Sequence, residues 1–258
     1  MVALLTLSYR GTAYAGWQRQ DNALAIQQVV EEALGRLLGL PEGEAPRIVG
    51  ASRTDAGVHA RGQRAHLDLA ALGRPDFPLR GLVHGTNHHL PEDIRVMAAE
   101  TVPEGFHARK SAISKQYFYR LSRADVLSPL DSPFAVKVSP AIDLDRLNRA
   151  AGKLVGRHDF SAFTLAGAAH GDRRREMFYA AWTIQGKELL FRIEGEGFLR
   201  GMVRGLVGTM TEVGLGDRSV ENFAALLKRG AGREEAGPTA PAHGLVLEWV
   251  RYGISALD

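Results

Sequence analysis

Ser114-Lys115-Gln116-Tyr117-Phe118-Tyr119-Arg120-Leu121-Ser122 is where the chain begins its plan a second time. Tyr117, Tyr119 and Leu121 fall on one face of this stretch, the period-two signature of a strand. The same sign stands at the N-terminus, where Val2 to Tyr9 alternates with Ala3, Leu5, Leu7 and Tyr9 on one side. There it leads to Ile26, Val29, Val30, Ala33, Leu34 and Leu37 at helical spacing, closed by Gly39 and Pro41. Strands follow over Arg47 to Ala51 and Gln63 to Leu69, then a helix over Leu79 to Asn87 and a strand over Ile94 to Val102. After Ser122, Asp143 is placed to cap a helix that turns Leu144, Leu147, Ala150, Ala151, Leu154 and Val155 inward and ends at Gly156. Glu176 to Gln185 and Leu189 to Glu194 read as strands paired about a Gly186-Lys187 turn. A helix over Leu199 to Val213, a short one over Ser219 to Lys228 and a strand over Leu245 to Tyr252 complete the half.

This order predicts an α+β protein of two tandem split β-α-β halves. Their antiparallel sheets are expected to join, with helices on one face and a catalytic cleft between the halves. The seam is expected near Pro103 to Gly105, dividing residues 1–104 from residues 105–258. Residues 124–140, with three prolines, read as a long loop. So does Leu165 to Arg175, which ends in Arg173-Arg174-Arg175, either a phosphate-contact cluster or a solvated turn.

Composition bounds the class. The chain has 258 residues, 45% hydrophobic and 24% charged, as in a soluble globular protein. No apolar run nears the roughly 18 residues of a membrane span. The N-terminus lacks the basic start and cleavage pattern of a signal peptide, so a cytoplasmic location is expected. There is no cysteine, which excludes disulfides and thiolate metal sites. The net charge is +3, and arginine far outnumbers lysine. Guanidinium groups suit phosphate and base contacts, although a GC-rich genome or heat adaptation supplies them equally.

Chemistry concentrates in Gly50-Ala51-Ser52-Arg53-Thr54-Asp55-Ala56-Gly57-Val58-His59-Ala60. Small residues let a bulky ligand approach the backbone. A carboxylate two residues from a guanidinium is equipped to act as nucleophile or base. The plain alternative is a surface turn with a modest ion pair. His84 and His88 stand at a helical i, i+4 spacing that could ligate zinc, but no further ligand is evident and none is expected.

These segments assemble into one pattern. Gly16-Trp17-Gln18-Arg19-Gln20 and Arg53-Thr54-Asp55-Ala56-Gly57-Val58-His59 resemble blocks of the tRNA pseudouridine synthase A family. So do Phe106-His107-Ala108-Arg109 with Tyr117-Phe118-Tyr119, His158-Asp159-Phe160 with Phe163, Met202-Val203-Arg204, and Ala240-Pro241-Ala242 with Gly244-Leu245. The blocks occur in order and span nearly the whole chain. Ser52, Arg10 and Ala60 stand where the family usually has Gly, Asp and Gly, and none of these departures removes a reacting group.

The resemblance implies an isomerase that converts uridine to pseudouridine at positions 38, 39 and 40 of the tRNA anticodon stem-loop, without a cofactor. It implies Asp55 as the catalytic aspartate, by attack on sugar or base or by removal of the 2′ proton. It implies Arg204 as the arginine paired with that acid, and Tyr117 as the ring that stacks on the uracil and handles the C5 proton. The base must leave its stack, which costs a few kcal/mol, so the RNA must be gripped on both sides. Arg53 is expected to fill the gap or hold the backbone. Arg19, Gln20, Arg109 and Lys110 are further RNA contacts, and Leu245 an apolar face for the uracil. Tyr119 is expected to be structural, and His59 and His107 structural or RNA-facing. The family is homodimeric, which carries the same expectation here. A silent RNA-binding module and a metal-dependent hydrolase are the rival classes. Asp55 argues against the first, and its lack of acidic companions in sequence against the second.

Overall fold

The computed structural model describes residues 1–41, 43–165, 171–228 and 230–253. The architecture is mixed α+β with mostly antiparallel strand pairing. The chain divides into two compact units, one of Met1–Ile113 with the terminal stretch from Leu247, the other of Ser114–Val246.

In the first unit the chain runs β1 (Val2–Tyr9), α1 (Ile26–Leu38), β2 (Val49–Gly50), β3 (His59–Asp68), α2 (Leu79–His89) and β4 (Ile94–Val102). Strand order is β4-β1-β3, with β2 also on β3. The hydrophobic alternation of β1 is satisfied by burial: Ala3, Leu5 and Leu7 are fully buried, and Leu4, on the opposite face of the strand, is fully buried as well. On α1 the buried stripe is Ile26, Val30, Ala33, Leu34 and Leu38. Leu37 turns instead onto α2, where a β-carbon on Gly85 would lie 2.3 Å from its Cδ1. Gly39, in the left-handed region at φ 65°, closes α1 as its position predicts.

Two strand boundaries differ from expectation. The strand expected over 47–51 is only Val49–Gly50: before it the Ile48 amide and carbonyl bond the side chains of Glu31 and Gln27, and after it the Ser52 amide bonds that of Gln63. The strand expected from Gln63 starts at His59, so the end of the Arg53–His59 motif lies in the sheet. Leu7 pairs with Gln63 but Tyr9 with Ala60, which places an extra residue in β3 between them. Such a bulge re-aims the side chains beside it.

In the second unit the chain runs β5 (Ser114–Ser122), β6 (Val136–Lys137), α3 (Leu144–Gly152), β7 (Gly156–Asp159), β8 (Arg174–Gln185), β9 (Glu188–Gly195), α4 (Met202–Leu215) and α5 (Val220–Ala225). Strand order is β5-β9-β8-β7, and β6 lies parallel to β5 inside the stretch expected to be only loop. Asp143 caps α3, its carboxylate accepting from the Asp145 and Arg146 amides. Gly186, φ 58°, makes the β8–β9 turn. β8 begins at Arg174, so two of the three consecutive arginines belong to a strand; residues 166–170 of the expected loop lie outside the described residues. α4 starts three residues later than expected because Gly201, φ 69°, holds the left-handed conformation before it. Its apolar face, Met202, Val203, Leu206, Val207, Met210 and Val213, is buried as the spacing predicts. The last strand, β10 (Leu245–Arg251), begins in this unit and returns to the first, where it lies beside β3.

Candidate active site

The loop from Gly50 to Val58 is built by buried neighbours. The amide of Ala51 donates to the Arg64 carbonyl at 2.7 Å. The fully buried Gln63 reads both backbone groups of Ser52: its Oε1 accepts from the Ser52 amide at 3.1 Å, and its Nε2 donates to the Ser52 carbonyl at 2.8 Å. One residue on, the Thr54 carbonyl accepts from the Trp17 amide at 3.0 Å, and Thr54 Oγ1 lies 2.8 Å from the Tyr9 hydroxyl. Asp55 then opens a turn in which the Val58 amide donates to the Asp55 carbonyl at 3.1 Å. Gly57, φ 77°, takes the turn position that a side chain disfavours. Arg53 is exposed, Thr54 buried and Asp55 between the two, so guanidinium and carboxylate emerge on either side of an anchored residue.

The small residues of the motifs have a steric reason. A β-carbon on Gly16 would stand 2.6 Å from the Thr54 carbonyl oxygen, and one on Gly11 2.0 Å from that of Val58. Trp17 is fully buried, stacks on Tyr9 with ring centroids 6.0 Å apart, and lies so close over Gly50 that a β-carbon there would meet its Nε1 at 2.4 Å. The segments around Tyr9 and around Trp17 therefore press directly on the backbone that carries Asp55. His59 is buried and its Nδ1 accepts from the Gly11 amide at 3.0 Å, a structural role.

The other sites expected in this unit divide in two groups. Arg19 is pinned, its guanidinium 3.2 Å from Glu31, a carboxylate with no exposed side-chain surface. Gln27 completes that network, bonding Glu31, the Ile48 carbonyl and the Arg19 amide. Gln20 is exposed and donates to the Ala15 carbonyl at 3.0 Å. Arg53 and Arg109, by contrast, lie near enough for their charges to interact. Desolvation, and then the charge of Arg53, lower the pKa of the Arg109 guanidinium. Two like charges held near each other favour an anion. Lys110 is exposed beside them. His107 shapes this corner: its Nδ1 accepts from the amides of Arg109 and Lys110. His66 lies 5.3 Å from it, ring to ring, and accepts the Ala108 amide at 3.1 Å. Burial first, then His107, lower the pKa of His66.

In the second unit, Tyr117 is buried on β5 and meets Phe198 edge to face, ring centroids 5.0 Å apart. Arg204, partly exposed on α4, donates through Nε to the Ala240 carbonyl at 2.8 Å, and the Ala240 amide donates back to the Arg204 carbonyl at 3.1 Å. Tyr119 is fully buried beneath Gly244 and donates to the Pro241 carbonyl at 2.8 Å; burial pushes its hydroxyl pKa up. Leu245, the first residue of β10, is buried. The turn before it is thus clamped to α4 and β5 at Ala240, Pro241 and Gly244. Sequence reading missed Tyr9, Trp17, Gln27, Glu31 and Gln63 as supports. Trp17 lies inside a quoted motif, but no local signal marks it or the others as supports. Among the described residues no three histidine, aspartate or glutamate side chains gather to hold a metal ion, and no helix is long and apolar enough to cross a membrane.

Comparison with known proteins identifies the lineage. Residues 150–253 match the family described as tRNA pseudouridine synthase. The chain is 44% identical over 251 residues to tRNA pseudouridine synthase A of Syntrophotalea carbinolica, covering 97% of this chain and 96% of that one. The chain belongs to the tRNA pseudouridine synthase A family. A family protein of Pelobacter propionicus is 43% identical over 96% of this chain and 98% of its own, and one of Lactiplantibacillus plantarum 40% identical over 96% and 93%. A crystal structure of a Cbf5–Nop10–Gar1 complex aligns at 12% identity and a TM-score of 0.41, over 96% of this chain and 48% of that one. The resemblance drawn from the motifs to the tRNA pseudouridine synthase A family is therefore borne out along nearly the whole chain.

Proposed function

We propose that this chain converts uridine to pseudouridine at positions 38, 39 and 40 of the tRNA anticodon stem-loop, by base flipping and with Asp55 as the catalytic carboxylate. That it is a tRNA-modifying isomerase follows from its family; the positions, the flipping and the residue roles are our reading. One observation carries it. Asp55 stands on a turn whose preceding residues, Ser52 and Thr54, are each fixed by buried side chains, Gln63 and Tyr9. Such support is what an acid needs to meet a reacting atom repeatedly in one position. A pure RNA binder gains nothing from holding a carboxylate among phosphates.

The remaining roles are assigned to match. The paired guanidiniums of Arg53 and Arg109, with Lys110, grip phosphates beside the extruded nucleotide, while Arg19 and Gln20 extend the contact. Tyr117 stacks on the uracil, Leu245 packs its other side and Arg204 balances negative charge. The glycosidic bond from N1 breaks, the uracil turns in place and C5 bonds to C1′; the C5 proton leaves by way of the Tyr117 hydroxyl and N1 takes one up, so product and substrate have the same composition. The reaction requires no redox partner or external nucleophile. We further propose that the protein works as a homodimer in the cytoplasm, where unmodified tRNA is met.

The test is direct. Unmodified tRNA is incubated with the protein in the presence of a chelator, and pseudouridine is mapped by carbodiimide-blocked reverse transcription. Stops at positions 38 to 40 support the reading; an unmodified anticodon arm, or stops elsewhere, contradicts it.

A further inference from the structure

We infer that Tyr9 and Thr54 are positioning residues for Asp55, acting through the bond between their two buried hydroxyl groups. The inference rests on the proposed role of Asp55. Tyr9 is 4% exposed and Thr54 6%, and their oxygens are 2.8 Å apart. Burying two hydroxyl groups is unfavourable unless they satisfy each other. Packing alone asks for neither, since a phenylalanine and a valine would fill the same volume. What the hydroxyls add is direction.

Thr54 immediately precedes Asp55, and its branched side chain has few rotamers. Fixing Oγ1 therefore fixes the Cα–Cβ vector of Thr54, and with it the peptide from which Asp55 departs. Tyr9 is itself held from two sides. Its ring stacks on Trp17, whose amide binds the Thr54 carbonyl, and Gln63 Nε2 lies 3.4 Å from its hydroxyl while also binding the Ser52 carbonyl. Strand β1 thus reaches Thr54 through both its side chain and, by way of Trp17, its backbone. The bulge in β3 between Gln63 and Ala60 lies opposite Ser8, next to Tyr9. Tyr9, Trp17, Thr54 and Gln63 are all buried, so loss of these bonds should affect the rate of chemistry and not the grip on tRNA.

The experiment compares Tyr9→Phe, Thr54→Val, the double variant and Thr54→Ser with the wild type. Single-turnover rates are measured on unmodified tRNA with enzyme in excess, alongside tRNA affinity and thermal midpoint. A displacement of the order of an ångström costs up to about 100-fold in rate, so Tyr9→Phe and Thr54→Val should each slow the reaction by about 10-fold or more. The double variant should be slower than the slower single by no more than about 3-fold, because both remove one bond. Thr54→Ser, which keeps the hydroxyl, should stay within about 3-fold of wild type, and tRNA affinity within about 2-fold throughout. Rates for Tyr9→Phe and Thr54→Val within about 2-fold of wild type, at a temperature where both are folded, would overturn the inference. So would slowing fully explained by weakened tRNA affinity or by the unfolded fraction, or effects that simply multiply in the double variant. Asp55→Asn is the control that separates the two claims. If wild type is active and Asp55→Asn silent, the hydroxyl variants decide this inference alone; if wild type makes no pseudouridine, both claims fall.

Discussion

Substituting Gly208 by alanine should loosen the turn that carries Ala240 and Pro241 away from α4. A β-carbon at 208 would stand 1.7 Å from the Pro238 carbonyl oxygen and 2.9 Å from its carbon. Both are backbone atoms, so no side chain can swing aside. Relief requires the turn or the helix to retreat by more than about 1 Å, an overpacking cost of about 1–3 kcal/mol. That movement strains the reciprocal Arg204–Ala240 pair, at 2.8 and 3.1 Å, each bond contributing about 1 kcal/mol. Alanine returns about 1 kcal/mol as the better helix former. The net loss is about 2–4 kcal/mol, which for a chain of this size lowers the thermal midpoint by about 5–15 °C. Gly152, at the end of α3, is the matched control: a β-carbon there meets nothing within 4 Å. Gly152→Ala should leave stability unchanged or raise it by up to about 1 kcal/mol. The assay is thermal unfolding followed by circular dichroism, with the pseudouridylation rate measured well below the transition. A Gly208→Ala midpoint within about 2 °C of wild type would refute the argument that backbone contact at Pro238 seats this turn.

Two further outcomes follow from the first unit. Arg53→Ala and Arg109→Ala should each weaken tRNA binding and make the plot of log affinity against log salt shallower by roughly one contact; unchanged slopes would show that neither guanidinium meets phosphate. His66 is held below the usual histidine pKa by burial and by His107, against the opposing pull of Asp68, so its contribution to stability is complete above the unfolded-state value of about 6.5 and is lost as pH falls below it. Acidifying from about pH 7.5 to about pH 5.5 should therefore lower the urea midpoint more for wild type than for His66→Asn, in which this proton site is absent; equal falls would contradict the assignment.

Much of the fold was legible because the hydrophobic spacing is honest. The Leu189 to Glu194 alternation, the Gly186-Lys187 turn, the stripe from Met202 to Val213 and the Asp143 cap all report purely local preferences, and each element stands where that preference puts it. Boundaries moved where tertiary partners intervene. Gly201 takes a left-handed conformation that delays α4, and the side chains of Glu31, Gln27 and Gln63 take the hydrogen bonds on either side of β2. The same limit applies to the candidate site. Arg53, Thr54 and Asp55 were readable because the string around them resembles a family block; their composition alone fits a surface turn. Their supports were not, since Gln63, Glu31 and Tyr9 are polar residues in or beside apolar runs, and sequence alone gives no sign that their partners at Ser52, Ile48 and Thr54 lie 11 to 45 positions away. Arg19 reads in the sequence as an RNA contact; that its guanidinium is also tied to the buried Glu31 depends on a helix that only the folded unit brings alongside.

The central claim is that the carboxylate of Asp55 performs the chemistry. The measurement is a single-turnover time course of pseudouridine formation in an unmodified tRNA, wild type against Asp55→Asn, with tRNA affinity determined for both. The account predicts product at positions 38 to 40 with the wild type, none with the variant, and comparable affinity. Product formed by Asp55→Asn at the wild-type rate would contradict it.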